Sequence, residues 1–408
     1  MTDGTNTPEG SARKERQTRI LFLLSRFLDG GIDMVLVDYL RHLAQDPAYR
    51  ITLAIATGMG PLEVFADRIP KNVEVVHLVS SARLTRWRQQ KIVKRRLPLP
   101  VKLYDEVLLS PLRRQIVKRR LRQLAASHDV IVDFDCCFYS LLRSVKVPKI
   151  AWFHFSFEQA LQQNRRRTLR IGRQLEQYDR VVCISTTMQQ ECQRLFPALS
   201  AKLSVLYNAK DRDALLARAA EEVTDERIRR PYILAVERLE ESQKDLTTLL
   251  HAYRRLREKY RHEEPLYLLG KGNSEADLRR LADELGIAAH VEFLGFSSNP
   301  YPWIAHAQLL VHSAKFEGLP TILIEGLMLD RLMVATDCPT GPREILWEGK
   351  AGMLVPVGDA DALAEAMHQA LTDAALQARL REGLRQHREL FTFGHTEKQF
   401  KQLINETL

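Results

Sequence analysis

The segment with most chemical content runs from Lys315 to Glu325 and reads KFEGLPTILIE. Glu317-Gly318 follows a buried-strand pattern, Pro320 suits the first helical position, and an apolar helix then begins. Unbonded amides at a helix start can hold a phosphate. Gly318, followed by Leu319, Pro320 and Thr321, lets a ligand approach the backbone closely. Glu325, one to two turns into the helix, can reach back to a ribose diol, and Glu317 sits at the mouth, where a sugar would hang. The same letters also fit an ordinary strand-loop-helix carrying two solvated glutamates.

Four other places carry suitable residue types. Arg238 and Lys244, in AVERLEESQKDLTTLL, follow a strand pattern and can neutralise a diphosphate leaving group, or be plain surface charge. Gly30-Gly31 stand between a strand and a helix pattern, where close approach of a sugar or phosphate is allowed. His154, in WFH at a strand end, is placed for a cleft contact or for a structural role. Asp133-Phe134-Asp135 is a DxD that can hold a divalent ion with a nucleotide diphosphate, but an acidic strand terminus or an acceptor contact reads better, and no metal is expected.

These residues need elements to hold them. Apolar runs at 19–25, 51–57, 73–79, 128–133, 149–153, 180–184 and 204–207 alternate with helical spacings, and the pattern restarts at 232. Strands alternating with helices imply parallel sheets with helices on both faces. The chain therefore reads as α/β, with two doubly wound Rossmann-like halves facing a cleft. Ligands bind such sheets at the carboxyl ends of the strands. The expected boundaries are a flexible tail at 1–17, a first domain at 18–208, a polar linker at 209–230, a second domain at 231–385 and a final helix at 386–408.

Bulk properties narrow the classes. With 408 residues and 45% hydrophobic residues, two real cores can form. No run approaches the roughly 18 apolar residues of a membrane span, and the charged start lacks a secretory apolar core. The five cysteines have no CxxC spacing, which fits reduced thiols in a cytoplasmic protein. The net charge of +9 is uneven: residues 83–122 carry 14 Lys and Arg against Asp105 and Glu106, leaving the remainder slightly acidic. That stretch has no zinc-finger, RRM or helix-turn-helix context, so nucleic-acid binding is not expected.

Taken together and in this order, the segments resemble the retaining family 4 glycosyltransferases of GT-B fold, of the bacterial envelope polysaccharide and lipopolysaccharide type. Glu317 and Glu325 stand as in that family's E-x7-E motif, and LYLLGKGNSEADLRRLADELG, VEFLGFSSNPYPWIAHAQLLVHSAKFEGLP and VATDCPTGPREIL look like family sequence. LFTFGHTEKQFKQLINE is similar to the final helix that crosses back onto the first domain.

The resemblance implies transfer of a hexose or N-acetylhexosamine from a nucleotide-sugar, with UDP favoured by family frequency, to a glycan or glycolipid acceptor. It implies Arg238 and Lys244 on the donor diphosphate and Glu325 on the ribose. Gly318, Leu319, Pro320 and Thr321 would lie against the phosphates, with Gly30 and Gly31 opposite. His154 and Glu317 would lie by the transferred sugar, and no cofactor is implied. One departure is Glu237, where the family usually has glycine; a glutamate there is tolerable only if it points away from the diphosphate. The basic stretch 83–122, interleaved with Trp87, Leu97, Leu99, Val101, Leu103 and Tyr104, is read as peripheral attachment to the cytoplasmic face of an anionic membrane, or as a site for an anionic acceptor. Another GT-B enzyme, such as a nucleotide-sugar epimerase, is the alternative.

Overall fold

A computed structural model describes residues 16–94 and 96–408. Most of the expected N-terminal tail, and Arg95 of the basic stretch, therefore lie outside the described residues.

The first sheet contains β1 (Thr18–Leu24), β2 (Tyr49–Ile55), β3 (Glu74–His77), β4 (Val130–Asp133), β5 (Lys149–Phe153), β6 (Arg180–Cys183) and β7 (Leu203–Val205), in the order β3-β2-β1-β4-β5-β6-β7. The second contains β8 (Ile233–Val236), β9 (Leu266–Leu269), β10 (Val291–Gly295), β11 (Leu309–His312), β12 (Met333–Thr336) and β13 (Met353–Val355), in the order β10-β9-β8-β11-β12-β13. All pairings are parallel, and the order reverses between β1 and β4 and between β8 and β11. Central strands such as ILFLL and LYLL are continuously buried and almost wholly apolar because helices cover both faces.

Six helices matter for the site and its surroundings: α1 (Gly31–Leu43), α2 (Ala82–Lys94), α3 (Ser110–Ala125), α4 (Arg165–Leu175), α5 (Thr321–Met328) and α6 (Phe393–Thr407). The basic stretch is a helical hairpin, α2 and α3, joined by a short helix and a π-helical turn. Its fold rests on Arg113, buried against Asp105 at 2.7 Å and donating to the Leu84 carbonyl. Alongside α3, Arg114 and Arg122 donate to Ser140 and Ser144, and Tyr139 accepts from Gln177 just beyond α4. Thus α3, the 139–142 turn and α4 lie side by side. On α4, Arg165, Arg166, Arg167, Arg170 and Arg173 are all exposed, with no ion pair among the described residues. The basic face therefore extends well beyond residues 83–122.

The segment expected as a polar linker, 209–230, carries secondary structure of its own. It contains a helix at Arg212–Ala219 and a 3-10 turn at Glu226–Arg229, and its polar composition reflects a half-exposed helix surface. Helix α6 packs against residues of the first domain. The α6 side chain Phe393 stacks on His42 at 4.4 Å and meets Tyr39 edge-on at 5.3 Å, while Lys401 pairs with Asp46 at 2.9 Å. The two interdomain crossings touch one another, with the Lys210 amide donating to the Phe391 carbonyl at 2.8 Å.

Candidate functional site

Every expected site residue except Glu325 lies in a loop, or at the first turn of a helix, at the carboxyl ends of β1, β5, β8 and β11. β8 and β11 are neighbours, so the loops that follow them converge. After β8, a short helical turn at Glu241–Lys244 brings Lys244 back under the loop after β11. There its Nζ meets Glu317 Oε1 at 2.5 Å, both side chains largely buried. Burial opposes the charge on each, but they stabilise one another: Lys244 is held above the ordinary lysine range and Glu317 down to about 2. Arg238 is exposed at the loop tip, with no ion pair among the described residues.

Glu237 resolves the departure noted above. It turns into the domain, where its Oε1 lies 2.9 Å from His312 Nδ1, away from the loop tip. His312 Nε2 faces Glu317 Oε1 at 3.5 Å.

The helix start differs from expectation by one residue. Pro320 is the N-cap, in extended conformation, and α5 begins at Thr321, because the Leu323 amide already closes a turn onto the Pro320 carbonyl. The amides of Thr321 and Ile322 have no protein acceptor among the described residues. The loop before them is braced from β12: Thr340 donates its hydroxyl to the Gly318 carbonyl at 2.6 Å, and the Glu317 amide donates to the Pro339 carbonyl at 2.7 Å. Gly341, at φ 95°, lets that brace pack flat; a Cβ there would meet the Gly318 carbonyl at 2.9 Å.

Glu325 lies deeper. Its Oε1 faces Lys210 Nζ at 3.1 Å and the Tyr301 hydroxyl at 3.5 Å. Lys210 in turn pairs with Asp38 of α1 at 2.8 Å. Despite complete burial, these carboxylates keep Lys210 charged, whereas burial outweighs Lys210 and lifts Glu325 above the ordinary glutamate range. No protein partner is present for Glu325 Oε2 among the described residues.

The first domain supplies the opposite wall. The Gly30 amide donates to Asp33 Oδ2 at 2.9 Å, and burial pushes Asp33 up to about 6. His154 is buried, and its Nε2 lies 2.7 Å from the Phe134 carbonyl, which fixes the Nε2–H tautomer and leaves Nδ1 as the acceptor. Burial drops His154 to about 4, so the ring is neutral near pH 7. The two walls touch at Gly318, where an added Cβ would stand 2.2 Å from the His154 carbonyl oxygen. Around this contact, Asn208 donates to the Leu319 carbonyl at 3.2 Å, Glu344 accepts from the Tyr207 hydroxyl at 2.6 Å, and Lys271 pairs with Asp29 at 3.1 Å.

The DxD serves the protein itself. Asp133 accepts from the Tyr178 hydroxyl at 2.5 Å and from the Phe138 amide at 3.0 Å, and Asp135 accepts from the Ser25 amide at 2.8 Å. Burial raises both carboxyls, and the Asp135 charge raises Asp133 further. Both stand at the carboxyl end of β4, bonded to the protein's own groups.

Several contributors carry no mark in the sequence. His312 ends an apolar run, and Lys210 lies in a polar one. Only the glycine of the 337–342 loop hinted at the brace beneath Glu317.

Comparison with known proteins follows the same two halves. Residues 30–214 match the family model described as Glycosyltransferase Family 4, and residues 218–387 match Glycosyl transferases group 1. A Campylobacter jejuni N-acetylgalactosamine-N,N'-diacetylbacillosaminyl-diphospho-undecaprenol 4-alpha-N-acetylgalactosaminyltransferase is 31% identical over 176 residues, 43% of this chain and 46% of that protein. The lipopolysaccharide core biosynthesis glycosyltransferase LpsE of Rhizobium meliloti is 32% identical over 152 residues, 37% of this chain and 43% of that one. The chain thus spans under half of the length of these two relatives. The solved structure of Anabaena HepE with UDP-glucose superposes with a TM-score of 0.74 at 16% identity, covering 95% of this chain and 100% of that one.

Proposed function

The chain belongs to the family 4 glycosyltransferases of GT-B fold, and on that premise we propose that it moves a hexose or N-acetylhexosamine, with retention, from a UDP-sugar to a lipid-linked glycan acceptor in envelope polysaccharide or lipopolysaccharide synthesis. The carrying observation is the convergence, opposite His154, of Arg238, the Lys244–Glu317 pair and the unbonded amides of Thr321 and Ile322.

In this reading the donor diphosphate lies against Arg238, Lys244 and the start of α5, and the ribose takes Glu325 Oε2. The C1–O bond to the diphosphate breaks through an oxocarbenium-like state. The departing negative charge meets fixed cations and amide dipoles already in place, so little reorganisation is needed. The acceptor hydroxyl adds to C1 on the face that UDP leaves, and its proton passes to a phosphate oxygen. Neutral His154 offers Nδ1 to a sugar hydroxyl, and ionised Glu317 fixes Lys244 and faces the sugar. The reaction runs without a metal or other cofactor. Contact between the walls at Gly318 excludes water that would otherwise hydrolyse the donor.

The acceptor side is read as a dock on the cytoplasmic face of an anionic membrane. In and beside the hairpin, Val93, Leu99, Leu103, Val107 and Leu108 are each more than half exposed, among basic side chains. The arginines of α4 continue the positive face. Each cation near such a surface contributes about 1 kcal/mol, and the apolar residues can enter the interface.

The test is a panel of UDP-sugars, reading thermal shift and slow UDP release without acceptor, in EDTA. One UDP-sugar that stabilises the protein and releases UDP is the expected result; no binding by any nucleotide-sugar sinks the reading. Lys244→Ala and Glu325→Ala should each lose most activity, and near-parent turnover in both would overturn the site. Binding to anionic vesicles should be lost at moderate salt, and equal binding to neutral vesicles would count against the dock.

A further inference from the structure

Behind the Lys244–Glu317 pair, four ionisable side chains stand in a buried row: Glu237, His312, Glu317 and Lys244. The spacings are 2.9 Å from Glu237 Oε1 to His312 Nδ1, 3.5 Å from His312 Nε2 to Glu317 Oε1, and 2.5 Å from Glu317 Oε1 to Lys244 Nζ. Glu237 and His312 are each only 1% exposed in their side chains. Glu237 directly follows β8 and His312 ends its neighbour β11, so they stand at the roots of the two loops assigned above to the donor.

The ring has a carboxylate at each nitrogen. Neither Glu237 oxygen and neither His312 nitrogen has an aligned hydrogen-bond partner, so their burial is compensated by charge alone. A neutral imidazole would leave at least one buried carboxylate uncompensated, a state worth several kcal/mol. An imidazolium makes the row alternate in sign, with net charge zero.

We propose that His312 is a positioning residue for glycosyl transfer: as an imidazolium between Glu237 and Glu317, it ties the Arg238 loop to the Glu317 loop and holds the Glu317 carboxylate on Lys244. The inference rests on the donor-site reading of Glu317 and Lys244. Burial works against the cation, and Glu237 and Glu317 outweigh it, so the ring titrates above the ordinary histidine range. Besides these carboxylates and Lys244, the ionisable groups nearby are Arg238 at the loop tip and Cys338 after β12, whose thiol burial keeps neutral.

The test compares Glu237→Gln, which keeps shape and ring, with His312→Gln, using the UDP-sugar that the panel selects and UDP itself as a binding probe. In the parent, kcat/KM should fall on the alkaline side as the imidazolium loses its proton. Glu237→Gln should move that limb to lower pH and reduce kcat about tenfold or more, with the affinity for UDP changed by less than about threefold. His312→Gln should abolish the limb. A merely structural row would lower the melting temperature of both variants and leave kcat per folded molecule and the alkaline limb unchanged; that result overturns the proposal. If His312→Gln does not fold, Glu237→Gln decides alone. Full activity in Lys244→Ala would instead remove the donor-site reading, whereas an inactive Lys244→Ala beside an unaltered Glu237→Gln would remove only the role of His312.

Discussion

Replacing Gly318 with alanine should cripple transfer more than it weakens UDP binding. The backbone at Gly318 is not in the left-handed region, so alanine can adopt it, and the substitution tests contact alone. The new methyl would stand 2.2 Å from the His154 carbonyl oxygen and 3.4 Å from Ile184 Cδ1. The second distance is tolerable. The first must open by about 1 Å or more to reach van der Waals contact. Neither partner yields easily, because Thr340 and the Pro339 carbonyl clamp the Glu317–Gly318 backbone and the other wall is the end of β5. The two walls must therefore part. A misplacement of about 1 Å costs on the order of a hundredfold in rate, or roughly 2.7 kcal/mol of barrier. The arginine, lysine and helix amides assigned to the diphosphate lie in the second domain, so UDP affinity should fall by less than the rate does. Steady-state kinetics of transfer, calorimetry with UDP and a thermal melt together check this. A Gly318→Ala enzyme within about threefold of the parent rate would refute the idea that this contact sets the geometry.

Three further outcomes are expected. Lys210→Met leaves buried Glu325 and half-buried Asp38 without their shared cation and should cost about 3 kcal/mol in denaturant unfolding; an unchanged midpoint would show that water already screens the trio. His154 is neutral in the fold down to about 4, against an ordinary value of 6.5, so the unfolded chain takes up its proton first. Its contribution is complete above about pH 6.5 and declines toward pH 4, by roughly 3 kcal/mol, and His154→Gln should flatten that part of the stability–pH curve. Glu317, held down to about 2 by Lys244, has the same sense in its own lower range: its stabilisation is complete above pH 4.5 and is lost only as pH falls toward 2. Protonation of Glu317 should therefore leave no acid limb near pH 4.5 in kcat/KM, and such a limb that vanished in Glu317→Gln would contradict the buried pair.

The sheets were legible because buried parallel strands are continuous apolar runs: LYLL and MLV fall where the sequence puts them. Gly30 and Gly318 announced the loops, since a glycine between strand and helix patterns is seldom idle. The α2–α3 hairpin was hidden by its charge. Helix α3 buries only Arg113, Val117, Leu121 and Ala125, a stripe one residue wide, and its first member is an arginine that looks like surface until Asp105 is seen beside it. The Glu237–His312 row was illegible for a different reason. Its members lie 75 positions apart and meet only because β8 and β11 are neighbours, which no local pattern encodes. Pro320 was misplaced by one residue because proline serves equally at the first helical position and just before it.

The packing of α6 on the first domain has a consequence for how the chain is made. The aromatic seat formed by Tyr39, His42 and Tyr49 is emitted early, whereas Phe393 and Phe400, which fill it, follow the entire second domain. During synthesis the first domain must wait, with that seat open, for more than 150 residues of chain. Its completion depends on the second domain folding well enough to deliver α6 to the right place. The two halves are thus separate sheets in space but a single unit in time, and a lesion that slows the second domain should first betray itself as proteolysis of the first.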